Sequence, residues 1–154
     1  TLKTPTRLRI GDGVVIQRRA VLHCGGRAWS DYQGGIDIGN HVVIGPGCYL
    51  YGAGTIEIGD YTHFGPGSMV MTQSGNAASP TRQSTTPGHL VEPVRIGSGV
   101  WIGAGAVILG GTTLGDNCLV GPNSVVKGNY DAGTTLIGNP ARVVRQRVEK
   151  TDSP

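Results

Sequence analysis

The sequence predicts an all-β chain wound into a parallel β-helix of about five triangular coils, with an extended loop and a short C-terminal tail. Three observations predict it. Large aliphatic residues recur at every sixth position, a smaller residue follows each four places later, and glycine is abundant where large aromatics are scarce. The 154 residues hold 27 Gly against one Phe, two Met and two Trp. Such a chain cannot fill a broad core and suits a thin interior with frequent sharp turns. No window before Asn139 sustains helical periodicity.

The repeat opens units at Ile10, Ile16 and Leu22, then at Ile38, Ile44 and Leu50. It resumes at Ile58, Phe64 and Val70, at Ile96, Ile102 and Ile108, and at Leu114, Val120 and Val126. A period of six with one large and one small inward position is neither a helical period nor simple alternation. It describes short parallel strands joined by tight corners. Three units close one coil, and coils stack roughly 4.8 Å apart. The first residue of each unit fills the interior, and each buried Ile contributes roughly 1.5–3 kcal/mol. The fifth stays small because it enters near a corner, as at Val42, Cys48, Thr62, Ser68, Val100, Ala106, Thr112, Cys118 and Ser124. One coil cannot bury its own faces, so several must stack. Cys48 and Cys118 fall on different faces several coils apart, a placement that predicts no disulfide.

Two stretches break the beat, 23–35 and 75–93, and the second is a long polar loop of the kind that usually carries function. Residues 1–154 read as one domain with a tail over 139–154. The net charge is +3 and 15% of residues are charged. There is no basic stripe interleaved with aromatics, so a nucleic-acid partner is not expected. Cations gather near the ends, among them Arg7, Arg9, Arg142, Arg145 and Arg147, and suit an anionic small molecule. No leader pattern or membrane-spanning apolar run is visible. Three cysteines without metal-ligand spacing predict no metal site. A cytoplasmic location is expected.

Three segments carry a family resemblance: Pro93 to Ala104, reading PVRIGSGVWIGA; Val120 to Lys127, reading VGPNSVVK; and Gly138 to Arg145, reading GNPARVVR. With them the chain resembles the hexapeptide-repeat acetyltransferases of the maltose/galactoside O-acetyltransferase and polysaccharide acetyltransferase type. The resemblance implies a left-handed coil, an exception to the usual crossover hand. It implies a homotrimer with active sites in the clefts between subunits. It implies acetyl-CoA as acyl donor, lying near the C-terminal coils at the positions of Ala104, Pro122, Ser124, Lys127, Arg142 and Arg145. There the arginines would meet the phosphorylated end. The acceptor would be a sugar, a nucleotide-sugar or another small hydroxyl or amine compound. The chain departs from the family where the catalytic histidine is expected, a place held here by Gly75, next to Asn76. An acceptor-side asparagine is also missing, where the chain reads Ile44-Gly45-Pro46-Gly47.

Acyl transfer needs a base near the acceptor, and histidine suits neutral pH. His23 and His41 read as surface residues. His63 and Trp101 hold the same outward corner position in successive coils and should be neighbours lining the cleft. His89 lies in the long loop. His89 and His63 are therefore the candidate bases, with Trp101 and Asn76 on the acceptor side and Asp60 or Glu57 as orienting carboxylates. Outward apolar residues at Val43, Tyr49, Trp101 and Leu119 predict subunit contacts. Two further readings stay open. One is a degenerate scaffold, which Gly75 favours; the other is a γ-carbonic-anhydrase-like metalloenzyme, which would need three histidines across an interface.

Overall fold

The computed structural model describes residues 2–3, 7–25, 33–75 and 89–147. A first strand, β1 (Leu2–Lys3), precedes five full coils. They are β2 (Leu8–Ile10), β3 (Val15–Ile16) and β4 (Val21–His23); β5 (Ile36–Ile38), β6 (Val43–Ile44) and β7 (Tyr49–Tyr51); and β8 (Ile56–Ile58), β9 (His63–Phe64) and β10 (Met69–Met71). Next comes a hairpin, β11 (Gln73–Gly75) with β12 (His89–Val91). Coils four and five follow as β13 (Val94–Ile96), β14 (Trp101–Ile102), β15 (Val107–Leu109), β16 (Thr113–Leu114), β17 (Leu119–Val120) and β18 (Val125–Val126). The chain ends its described part with β19 (Asn129–Tyr130), β20 (Thr134–Gly138) and β21 (Ala141–Gln146). The left-handed coil expected from the resemblance is the fold observed.

Three parallel sheets result. Sheet A runs β1-β4-β7-β10-β15-β18, sheet B runs β2-β5-β8-β13-β16-β19, and sheet C runs β3-β6-β9-β14-β17-β20 with β21 added antiparallel. The inward positions of coils two to five are buried as the period predicts, from Ile38, Ile44 and Leu50 through Leu114, Val120 and Val126. Small fifth positions such as Val42, Ser68 and Ala106 are fully buried beside them. Ile10 and Ile16 depart from the core expectation, at 46% and 41% exposed. Their coil has no strand beneath it on sheets B and C, so nothing stacks on them from that side.

The corner between sheets B and C explains the glycine in second place of each sheet B unit. Asp12 N–H donates to Asn40 Oδ1 at 2.8 Å, Asn40 N–H to Asp60 Oδ1 at 2.7 Å, and Ser98 N–H to Asp116 Oδ1 at 2.7 Å. A Cβ at Gly39 or Gly97 would collide with the Asp60 or Asp116 carboxylate. These three ladder steps pair an acid or amide above with a bare backbone below, and at Gly59 a serine, Ser98, stands in that place.

The outer faces differ sharply. Sheet B carries Arg9, Asp37, Glu57, Arg95 and Thr113 in register. Sheet A carries Val21, Tyr49, Met69, Val107 and Val125. Sheet C carries Val15, Val43, His63, Trp101 and Leu119. One face is therefore made for water and two are not.

The C-terminal tail and the excursion over 75–93 acquire structure where they are described, whereas 26–32 of the excursion over 23–35, 76–88 and 148–154 lie outside the described residues. The tail does not trail from the coil: β21 turns back and pairs with β20, placing Arg145 opposite Thr135 and Arg142 opposite Ile137. The loop of 75–93 leaves and rejoins the coil as the two-stranded hairpin β11–β12, with Gly75 opposite His89 and Gln73 opposite Val91.

Candidate active site

Parallel pairing sets His63 directly against Trp101. Their rings stack with centroids 5.2 Å apart and planes 19° from parallel. The neighbour relation expected from the repeat holds, but the pair sits on the flat of sheet C and not at a corner. Trp101 is 55% exposed, and Leu119 above it is exposed as well. An indole so placed offers a broad apolar surface to whatever lies against this face.

Beside this face runs the corner joining sheets C and A. Ala104 and Pro122 occupy it in adjacent coils, both exposed, with Asn123 N–H donating to Ala104 O at 2.9 Å. A Cβ at Gly103 would collide with Pro122 backbone, so the two turns nest closely. The result is a smooth ridge of small residues, flanked on sheet C by β21 and its exposed Arg142 and Arg145.

Two residues expected with them are oriented otherwise. Ser124 is fully buried, and its Oγ accepts the Gly138 N–H at 3.0 Å. It therefore holds the turn that launches β21 and does not present its hydroxyl to a surface ligand. Lys127 lies at the opposite end of β18 from Pro122, and its Nζ pairs with Glu92 Oε2 at 2.9 Å. That ion pair ties the end of the hairpin to coil five and keeps the ammonium away from the Ala104–Pro122 ridge.

The histidines divide as follows. His41 is exposed and stacks on Tyr61 at 5.0 Å. His23 is half-buried, contrary to the surface reading: it stacks on Tyr51 at 4.5 Å, and its Nδ1 accepts the Gly25 N–H at 3.1 Å. A second tyrosine, Tyr49, extends the stack, 5.9 Å from Tyr51. Burial pushes the Tyr51 phenol above its usual range, and the neighbouring Tyr49 adds to the shift. His89 pairs through β12 with Gly75, the place where the resemblance expects the catalytic histidine. Asn76 lies outside the described residues.

The carboxylates suggested as orienting groups are engaged elsewhere. Glu57 Oε2 receives Arg95 Nε at 3.1 Å on sheet B, and Asp60 serves the corner ladder. A broad concavity of about 830 Å³ lies along sheet B, over Arg9, Asp37, Glu57 and Arg95. Its charges pair with one another, at 3.5 Å for Arg9–Asp37 and 3.1 Å for Arg95–Glu57. None of the histidines lines it. Among the described residues no three His, Cys, Asp or Glu groups gather as a metal site, and no helix is long and apolar enough to cross a membrane.

Residues 93–128 match the family described as bacterial transferase hexapeptide (six repeats). Nodulation protein L of Rhizobium meliloti is 39% identical over 134 residues, covering 87% of this chain and 68% of that protein. The Rhizobium leguminosarum protein of that name is 40% identical, with 65% of its length covered. The chain thus spans about two thirds of these relatives. Among solved structures, AntD, an N-acyltransferase from Bacillus cereus in complex with dTDP and 3-hydroxybutyryl-CoA, superposes with a TM-score of 0.81 at 24% identity. That match covers 97% of this chain and 78% of AntD and speaks for the fold. A hexapeptide-repeat acetyltransferase of Vibrio cholerae, solved with acetyl coenzyme A, is 26% identical with a TM-score of 0.63, covering 94% of this chain and 63% of that one. With its coils, its ridge and these relatives, the chain belongs to the hexapeptide-repeat acetyltransferase family.

Proposed function

We propose that this protein transfers an acyl group from acetyl-CoA directly to a hydroxyl or amine of a carbohydrate-like acceptor. The donor's pantetheine arm lies along the ridge of Ala104 and Pro122, where small side chains let it approach the backbone. Arg142 and Arg145 on β21 meet the phosphorylated end, Ser124 fixes the turn that carries them, and Lys127 with Glu92 braces the hairpin. Trp101 forms the apolar wall beside the thioester, and Asn76 belongs to the loop on the acceptor side. The acceptor oxygen or nitrogen attacks the thioester carbonyl carbon while a histidine takes its proton. The tetrahedral intermediate then collapses, the carbon–sulfur bond breaks and the CoA thiolate regains a proton.

One observation supports assigning the base to His89: its strand pairs it with Gly75, so the family's histidine position and this chain's histidine are cross-strand partners. A base can be supplied from the second strand of a hairpin as well as from the first. His63, stacked on Trp101, is the alternative.

The experiment has two parts. Calorimetry with acetyl-CoA measures donor binding. Release of CoA thiol is followed with glucosamine, maltose and dTDP-4-amino-4,6-dideoxyglucose as acceptors. His89→Ala should lower kcat by about 10²–10⁴-fold with acetyl-CoA binding preserved, while His63→Ala should act mainly on KM. Arg142→Ala with Arg145→Ala should raise the acetyl-CoA KM about tenfold or more. A wild-type protein that binds acetyl-CoA but acylates no acceptor would favour the scaffold reading.

A further inference from the structure

The outward register column of sheet B is polar throughout, from Arg9, Asp37 and Glu57 to Arg95 and Thr113. The concavity over it, about 830 Å³, reaches the corner between sheets B and C, where Asn40 and Asp116 line it. Along the floor two arginines pair with two carboxylates, Arg9 with Asp37 and Arg95 with Glu57. The charges cancel, so the trough favours neither a phosphate nor a cation. Its polar groups still have bonds to give. Arg9 engages Asp37 through Nη1 and Arg95 engages Glu57 through Nε. A guanidinium has several N–H donors and a carboxylate several acceptor lone pairs, more than one such contact uses. Planar donors and acceptors side by side, without net charge, suit a neutral ligand rich in hydroxyls.

The corner beside the trough adds a flat apolar surface. His41 follows Asn40 in the chain and Tyr61 follows Asp60, and their rings stack with centroids 5.0 Å apart. Tyr61 is 62% exposed, more than any other large apolar side chain among the described residues. Backbone bonds from His41 N–H to Asp12 O, Tyr61 N–H to Asn40 O, Gly99 N–H to Asp60 O and Asn117 N–H to Ser98 O set these corner positions in one column, with Gly13 below His41. All of them are left-handed, with φ of 65° at Gly13, 55° at His41, 58° at Tyr61, 65° at Gly99 and 57° at Asn117. Glycine and asparagine adopt that backbone readily, whereas a bulky ring rarely does. Tyr61 therefore holds a disfavoured conformation with most of its side chain in water, at a position that glycine fills in the coil above. Neither the core nor the register asks for a ring there. Backbone strain of this kind gathers at ligand sites.

We infer that the trough along sheet B, with the Tyr61–His41 stack at its edge, binds a neutral saccharide chain at a site separate from that of acyl transfer. One sugar ring lays its C–H face on Tyr61, and its neighbours hydrogen-bond to the paired side chains of sheet B. The Ala104–Pro122 ridge lies at another corner, between sheets C and A, so saccharide and acetyl-CoA do not compete. Binding needs no turnover, so the inference is tested apart from the acyl-transfer reading. Calorimetry with maltotetraose, chitotetraose and cellotetraose should show at least one of them binding the wild type, with or without acetyl-CoA. Tyr61→Asn removes the ring and leaves a residue that the same column already accepts at Asn117. Its melting should stay cooperative while saccharide affinity falls about tenfold or more. Tyr61→Phe keeps the ring and should bind as the wild type does. Glu57→Ala with Arg95→Ala removes an exposed pair that contributes little to the fold and should weaken saccharide binding by a similar factor. Acetyl-CoA affinity should be unchanged in all three variants. The inference is overturned if the wild type binds none of the three saccharides. It is overturned equally if Tyr61→Asn or the double variant binds them as tightly as the wild type, which would leave them to the transfer site. Loss of dTDP binding, and not of saccharide binding, in Tyr61→Asn would give the ring to a nucleobase and also overturn it.

Discussion

Thr62 shows how single side chains knit neighbouring coils. Its Oγ1 donates to Gly97 O at 2.8 Å and accepts the Val100 N–H at 3.2 Å, both in the next coil, and it is fully buried. Thr62→Val preserves the shape and strands both backbone groups. Urea denaturation should register a loss of about 1–3 kcal/mol. The buried thiols of Cys24 and Cys118 behave differently. Burial pushes both above the ordinary value of 9.0, so the folded chain holds protons that the unfolded chain releases. Their contribution to stability is complete below pH 9 and is lost as pH climbs toward the folded values. Equilibrium denaturation repeated upward from pH 8 should therefore show stability declining above pH 9. At this scale the period made inward positions readable from sequence. It could not mark Ile10 and Ile16 as exposed, because every unit of a repeat looks alike whether or not another coil covers it. Nor could it show that Ser124 Oγ is spent on Gly138 or that Lys127 answers Glu92, since both partners lie outside the hexapeptide beat.

Among the elements, the coil strands follow from local pattern, whereas the two antiparallel additions do not. β21 pairs with β20 through a tight turn, and β12 pairs with β11 across the long loop. Neither pairing leaves a six-residue signature, so the sequence showed only a tail and a gap. The β20–β21 turn depends on Ser124, whose Oγ takes the Gly138 N–H. Ser124→Ala should cost about 1 kcal/mol. It should also loosen β21 selectively, visible as faster amide hydrogen exchange over residues 141–146 than over β14 or β15. Uniform acceleration across all coils would mean that the serine supports the core as a whole. The candidate site was legible in the same uneven way: the His63–Trp101 contact follows from register arithmetic, but the opposition of Gly75 and His89 needed the hairpin.

For the whole molecule the decisive contrast is between faces. Sheet B displays paired charges, while sheet A shows Tyr49, Met69 and Val107, and sheet C shows Val43, Trp101 and Leu119. The outward apolar set was readable from the repeat, and its phase divides Tyr49 from Val43, Trp101 and Leu119. Two unlike apolar faces fit a head-to-tail contact, in which sheet A of one copy meets sheet C of the next. Faces of a triangular prism are set so that three such contacts close a ring. The expected assembly is a homotrimer of 16.0 kDa chains, and light scattering at micromolar concentration should report three times that mass. A stable monomer at that concentration would overturn this expectation. Trp101→Glu should lower the mass that light scattering reports while leaving the coil folded, since that side chain is exposed on the outer face.

The hydrogen bond from Glu92 N–H to Thr72 O makes the hairpin an appendix to the coil. On either side of it the coils pair in unbroken register, Ile56 with Val94 and Met69 with Val107, as though nothing intervened. The core keeps no record of how long the excursion is, and each doubling of such a loop costs only about 0.6 kcal/mol. Heritable change can therefore rewrite that segment freely, lengthening it, shortening it or moving a histidine from one strand to the other, while the coil beneath goes on folding. A family built this way can diversify its chemistry in one place and inherit its architecture unchanged in every other.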